Sequence, residues 1–193
     1  MLKSLPKTEL LYPSPKPIDE LNLLDAFHLM LNDQSMALQA LEKSSLSIIN
    51  TVNEVYLHLS KKSLGRIIYC GAGTSGRIAV QDGVELYPTF GWPKKRIKFL
   101  IAGGNKAILN SVENAEDNIN EARVKVDRLS INKNDIVIGL AASGNTAFTN
   151  EVLKLSNEKK ILTIAISNNP RGSILKNAKL NIEYSIETSH FFR

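Results

Sequence analysis

From Arg66 onward the chain alternates two kinds of apolar pattern. Arg66–Cys70, Ile97–Ala102, Asp135–Leu140, Ile161–Ser167 and Leu180–Ser185 are apolar runs of strand length. Ser75–Leu86, Glu116–Leu129 and Thr146–Glu158 carry their apolar residues at helical spacing. This alternation predicts an α/β fold, a doubly wound parallel sheet flanked by helices. Upstream the period is helical throughout. Leu21, Leu24, Phe27, His28 and Leu31 share one face of a helix over residues 17–31, which Asn32-Asp33 breaks. Ser35 then caps a helix to about Ser60, its stripe running Leu38, Leu41, Ser45, Ile48, Val52, Val55, Leu59. Residues 1–16, with Pro6, Pro13 and Pro15, read as an extended arm. The expected division is an N-terminal arm with helices over 1–60 and the α/β domain over 61–193.

Two strand ends repeat one local design. Gly71-Ala72-Gly73-Thr74-Ser75-Gly76 and Ala141-Ala142-Ser143-Gly144-Asn145-Thr146 each carry a strand into small residues, a Ser-Gly pair and a helix. Glycine admits close backbone approach, and the next helix aims N–H groups and the positive end of its dipole at whatever lies there. Two such turns in one domain predict an anionic ligand held from both sides, most simply a phosphorylated small molecule. The first turn also matches the dinucleotide fingerprint G-x-G-x-x-G. That reading needs an acidic residue about twenty positions on, where this chain has Lys94-Lys95-Arg96-Ile97-Lys98-Phe99-Leu100-Ile101-Ala102-Gly103-Gly104. It also leaves the second turn without a task.

Composition narrows the classes without naming a function. With 43% hydrophobic and 22% charged residues the chain reads as an ordered globular domain, and its apolar runs are too short for a membrane span. The net charge of +5 comes from scattered lysines rather than a basic stripe with interleaved aromatics, which argues against nucleic acid. A single cysteine, Cys70, rules out an internal disulfide and reads as a buried small hydrophobe; no signal peptide is visible, so a cytoplasmic protein is expected. His28, His58 and His190 form no metal-ligand pattern, and no metal is expected. Trp92 reads as packing.

Two carboxylates fall near the expected crevice. Glu85 lies where the first helix runs out, before a turn forced by Pro88 and Gly91, and Glu116 where the next helical pattern begins. A pair there can divide proton abstraction from leaving-group protonation. Each alone is also accounted for by solvation or by the helix dipole.

Taken in order, Gly71-Ala72-Gly73-Thr74-Ser75-Gly76-Arg77, Pro88-Thr89-Phe90-Gly91, Leu100-Ile101-Ala102-Gly103-Gly104, Val112-Glu113-Asn114-Ala115-Glu116-Asp117 and Ala141-Ala142-Ser143-Gly144 resemble the N-acetylmuramic acid 6-phosphate etherases, members of the sugar-isomerase (SIS) fold. The likeness runs from about Thr8 to about Ile186 and extends to the related glucokinase regulatory protein. The resemblance implies cleavage of the D-lactyl ether of N-acetylmuramic acid 6-phosphate, giving N-acetylglucosamine 6-phosphate and D-lactate by elimination and hydration, without a cofactor. It implies Glu85 as the acid that protonates lactate and Glu116 as the other catalytic carboxylate, the base. It places Gly73, Thr74, Ser75, Gly76, Ser143, Gly144, Asn145 and Thr146 around the sugar phosphate, and implies a homodimer. Asn145 and Ala147 depart from the family's Arg and Pro, Gly83-Val84 from Ala-Ser, and Leu86-Tyr87 from Cys-Pro. After Ile182-Glu183-Tyr184-Ser185-Ile186 the family continues into further helices, whereas this chain reads Glu187-Thr188-Ser189-His190-Phe191-Phe192-Arg193. The expectation is a C-terminally shortened etherase with bare apolar surface. Two alternatives stand beside it, a sugar-phosphate-binding regulatory module without turnover and an inactive remnant.

Overall fold

In the computed structural model, which describes residues 16–184, five parallel strands form one sheet. They are β1 (Ile67–Gly71), β2 (Ile97–Ile101), β3 (Ile136–Leu140), β4 (Leu162–Ser167) and β5 (Leu180–Glu183), in the order β2-β1-β3-β4-β5. The helices are α1 (Leu23–Lys43), α2 (Ser45–Ser60), α3 (Gly73–Phe90), α4 (Lys106–Leu109), α5 (Ile119–Leu129), α6 (Ala147–Glu158) and α7 (Ser173–Lys176). Among the described residues none is long and apolar enough to cross a membrane.

Alternation along β1 sorts these helices onto the two faces. Ile68 and Cys70 point to a core shared with Ala122 and Val126 of α5, Phe148 and Val152 of α6, and Ile174 of α7. Tyr69 points the other way, stacks on Phe99 and donates its hydroxyl to Asp82 of α3 at 2.6 Å. On that second face Ile136, Ile138, Ile164 and Ile182 meet Ile48, Val55 and Leu59 of α2. Gly139 lets α6 lie close to β3, since a Cβ there would stand 2.7 Å from a Leu153 methyl. Cys70 is fully buried, as expected, and burial pushes its thiol well up from the ordinary range.

Several boundaries differ from the sequence expectation, each for a local reason. Asn32-Asp33 does not break the first helix, and Asp33 is buried in mid-α1. The break falls instead at Ser44, whose hydroxyl donates to the Glu183 carbonyl of β5 at 2.6 Å, so the edge of the sheet sets the joint. Nor does Pro88 stop α3. It sits in the last turn, where its missing N–H costs a single bond, and the helix ends at left-handed Gly91 (φ 66°). There Gly91 N bonds Tyr87 O and Trp92 N bonds Leu86 O. Trp92 does pack, under the Arg96 guanidinium at 4.2 Å. The arm lies mostly outside the described residues, as does His190; His58 is structural, its Nε2 3.0 Å from the Asn134 carbonyl.

The helices also leave apolar surface in the open. On α1 and α2, Leu23 is 92% exposed, Leu46 76% and Tyr56 69%, and on α3 Phe90 is 76%. A groove of about 540 Å³ between α2 and the sheet is lined by Val55, Leu59, Ile138, Ile164 and Trp92.

Candidate functional site

In the order β2-β1-β3-β4-β5 the chain changes direction between β1 and β3, where such sheets open a crevice beyond their carboxyl ends. Gly71 is level with Leu140 in the register of that pair, so the two Ser-Gly turns leave the sheet side by side. They then diverge, the first into α3 on one face and the second into α6 on the other.

The first turn is built by glycines. Gly71 and Gly76 pass so closely that a Cβ on Gly71 would sit 2.9 Å from the Gly76 Cα, and Gly73 has φ +52°. Helical bonding begins with Gly76 N to Ala72 O at 3.1 Å, and no side chain caps α3. The N–H groups of the first turn thus face the crevice without an intrahelical acceptor. Thr74 is exposed at this end and Ser75 half-buried. At the second turn Gly144 has φ +71°, with Gly172 and the Ser167 hydroxyl pressed against it. Thr146 precedes α6, and again no side chain caps the helix. By contrast α5, the third long crossover helix, is capped by the Asn118 side chain. The two helix ends left uncapped among these three are the two that flank the switch point.

Hydrogen bonds stitch the second turn to the loop after β4. Asn169 Nδ2 donates to the Ser143 carbonyl at 2.8 Å and Ile174 N to the Gly144 carbonyl at 3.0 Å. Asn145 Oδ1 accepts Ser173 N at 3.0 Å, so one half of this carboxamide is occupied within the fold. Ser143 Oγ likewise accepts Asn145 N. Replacing Gly144 by alanine forces a side chain into the left-handed region with its Cβ 2.5 Å from the Gly172 Cα. We expect a loss of roughly 3 kcal/mol in urea unfolding; a loss below about 1 kcal/mol would show that the loop after β4 gives way easily.

Glu116 comes to the crevice by a different route from that expected. It does not open α5 but sits on a separate 3-10 turn, Ala115–Asp117, entered through left-handed Asn114 (φ 58°). There it lines a cavity of about 350 Å³ together with Gly73, Thr74 and Arg77 of α3. Glu85 is not brought to this cavity. α3 runs back along the sheet from Gly73, and Glu85, twelve residues on and exposed, lies about 18 Å down the axis. No glutamate side chain spans that gap. Arg77 also lines the cavity; it closes the first motif, but the spacing of motifs gives it no role. Among the described residues no three His, Cys, Asp or Glu side chains gather as a metal-ligand set.

With this geometry in place, the sequence matches the family model described as the glucokinase regulatory protein N-terminal SIS domain, over residues 47–157. The chain belongs to this SIS-domain family. The matched stretch takes in both turns and Glu85 and Glu116. Over 175 residues this SIS domain is 39% identical to an N-acetylmuramic acid 6-phosphate etherase of Psychromonas ingrahamii, covering 91% of the chain and 58% of that enzyme. Over 183 residues it is 38% identical to the enzyme of the same name from Francisella philomiragia, covering 95% of the chain and 61% of the enzyme. The domain therefore spans about three fifths of the length of these relatives. Among solved structures it superposes on a phosphoheptose isomerase from Francisella tularensis with a TM-score of 0.66 at 16% identity, covering 87% of this chain and 88% of the other. A ligand-bound E. coli CFT073 protein superposes at a TM-score of 0.57 and 20% identity, covering 88% and 78%. These two likenesses establish the fold.

Proposed function

We propose that the crevice between the two turns binds a phosphorylated amino sugar and that the chain carries the etherase reaction of its similar relatives on N-acetylmuramic acid 6-phosphate. The observation that carries this reading is the pair of uncapped helix ends at the β1/β3 switch point, with the Glu116 carboxylate on the wall of the adjoining cavity. The N–H groups of Gly73, Thr74 and Ser75, the hydroxyls of Thr74, Ser75, Ser143 and Thr146, and the free half of the Asn145 carboxamide hold the phosphate and sugar oxygens. Gly76 and Gly144 keep the backbone close to the ligand.

In the reaction, Glu116 takes the proton from carbon 2 of the open-chain sugar, beside the aldehyde. A carbon 2–carbon 3 double bond forms as the carbon 3–oxygen bond breaks, and lactate leaves with that electron pair and gains a proton. Water then adds across that double bond, its hydroxyl to carbon 3 and a proton to carbon 2. The steps are proton transfer, elimination and hydration, and the acetamido sugar phosphate emerges without its ether.

Glu85 can supply the leaving-group proton only from a second copy of the chain, because its own cavity lies out of reach. The exposed apolar residues of α1, α2 and α3 support a homodimer. This can be checked by mixing two inactive variants, Glu85→Gln and Glu116→Gln. If each site draws one glutamate from each copy, random exchange restores about a quarter of wild-type activity. If Glu85→Gln alone keeps its activity, Glu85 has no part in the reaction; if both variants are inactive and do not recover, with subunit exchange confirmed, the two glutamates do not come from different copies.

The same observations allow a module that binds without turnover, a reading favoured by the distance to Glu85 and by the engaged Asn145 side chain. Proton NMR of N-acetylmuramic acid 6-phosphate in deuterated buffer separates the two. Free lactate establishes the etherase. Loss of the carbon 2 proton signal without lactate means that the base works and expulsion does not. An unchanged spectrum from folded protein sinks catalysis on this substrate, and saturable binding of N-acetylglucosamine 6-phosphate then leaves the regulatory module.

A further inference from the structure

We propose that Arg77 is a positioning residue that holds the Glu116 carboxylate at the crevice, an inference resting on the reaction proposed above. Arg77 stands one turn into α3, and its guanidinium is spent on backbone carbonyls of the segment that leads to Glu116. Nε donates to Ala107 O at 3.1 Å and Ile108 O at 3.2 Å, and Nη2 donates to Asn110 O at 3.1 Å. These acceptors belong to α4 and its C-cap. A helix of four residues does not hold itself, and its terminal carbonyls need partners from outside. Arg77 provides them from the rigid helix whose first turn forms the anion site.

The remainder of this segment has few other ties. Its root is fixed where Gly103 N donates to Glu121 Oε2 at 3.1 Å. Its far end is fixed where Ala115 packs on the core. Between Asn110 and Glu116 the hydrogen bonds found among the described residues are local, such as Ala115 N to Val112 O at 3.5 Å and Asp117 N to Asn114 O at 3.3 Å. The planar fork on Ala107, Ile108 and Asn110 is thus the polar link that sets how far Glu116 stands from the first turn of α3. Lysine offers a single ammonium in place of that fork and cannot span three carbonyls in the same way. Because Arg77 also lines the cavity, a direct contact with the phosphate is the competing role.

The test compares Arg77→Lys and Arg77→Met with wild type in the full chain. It uses lactate release from N-acetylmuramic acid 6-phosphate, calorimetric binding of N-acetylglucosamine 6-phosphate, and backbone amide exchange over residues 107–118. A displaced carboxylate lowers kcat by about 30-fold in either variant, with affinity for the sugar phosphate within about threefold. Exchange over residues 107–118 accelerates about tenfold, while β1 and α6 stay as in wild type. Should the methionine variant not fold, the lysine variant carries all three readouts. Unchanged kcat with unchanged exchange overturns the proposal. So does a loss confined to affinity, which makes Arg77 a phosphate ligand instead. If wild type releases no lactate, the etherase reading fails on its own, and exchange alone then decides whether Arg77 holds the segment, unchanged exchange refuting it.

Discussion

Replacing Glu116 with glutamine lowers lactate release by about 10²–10⁴-fold, the range a positioned general base contributes. The substitution keeps the shape of the side chain and removes its capacity to accept a proton. In the proposed reading N–H groups of α3 and the second turn hold the sugar phosphate, so binding of N-acetylglucosamine 6-phosphate should change by less than about threefold. Deuterium exchange at carbon 2 of the substrate should vanish along with lactate release. If exchange persists while lactate release is lost, Glu116 is the acid rather than the base. If both persist within about threefold of wild type, Glu116 is not catalytic, whatever its place on the cavity wall.

The second large effect concerns stability at the opposite end of the sheet. Asp135 is 1% exposed and accepts four hydrogen bonds, from Arg66 N, Nε and Nη2 and from Asn132 N. The pair joins the starts of β1 and β3, the neighbouring strands whose other ends carry the two Ser-Gly turns. Burial alone would push the Asp135 carboxyl up, but the Arg66 guanidinium and the two backbone N–H groups outweigh it and hold it below the usual carboxylate range. Removing one partner of such a buried pair costs about 3–5 kcal/mol. Because the Arg66 side chain keeps 20% exposure and can rehydrate in part, we expect Asp135→Ala to lose about 3 kcal/mol, or about 6–12 °C in Tm.

The pH dependence has a definite sign. A depressed folded pKa means that the pair's contribution is complete above the unfolded carboxyl's pKa of about 3.9 and is lost as pH falls through the lower folded value. In acid titrations the wild-type advantage over Asp135→Ala should shrink across that interval and be absent below it. A control at the exposed Lys159–Asp127 pair should move by less than about 1 kcal/mol. A comparable loss at both pairs would show that Asp135 matters no more than a surface charge.

The sheet and both Ser-Gly turns could be read from residues alone because each strand is an apolar run that ends in small residues. Gly71 and Gly76 announce a close crossing that the backbone then makes. What could not be read depends on tertiary partners. Ser44 breaks the N-terminal helix because the Glu183 carbonyl lies opposite it, a contact made across 139 positions. Glu116 reads as the opening of a helix since the period continues past it, yet left-handed Asn114 and the Asn118 cap set it on a turn of its own. Glu85 is close to the candidate site in sequence and far from it along the helix, because the twelve residues of α3 from Gly73 carry it away. α4 and α7, four residues each, are too short to show a period, and with α4 went the evidence for Arg77.

Cys70 has a practical consequence. It is the single thiol of the chain, and its strand is paired on both sides, to β2 and to β3. A thiol reagent therefore has one target, which it reaches only when strands part or the helices over Ile68 lift away. The rate of modification by such a reagent counts those openings, and any ligand that suppresses them has its affinity read directly from the suppression. The molecule carries an internal clock for the opening of its own sheet, readable without any added label.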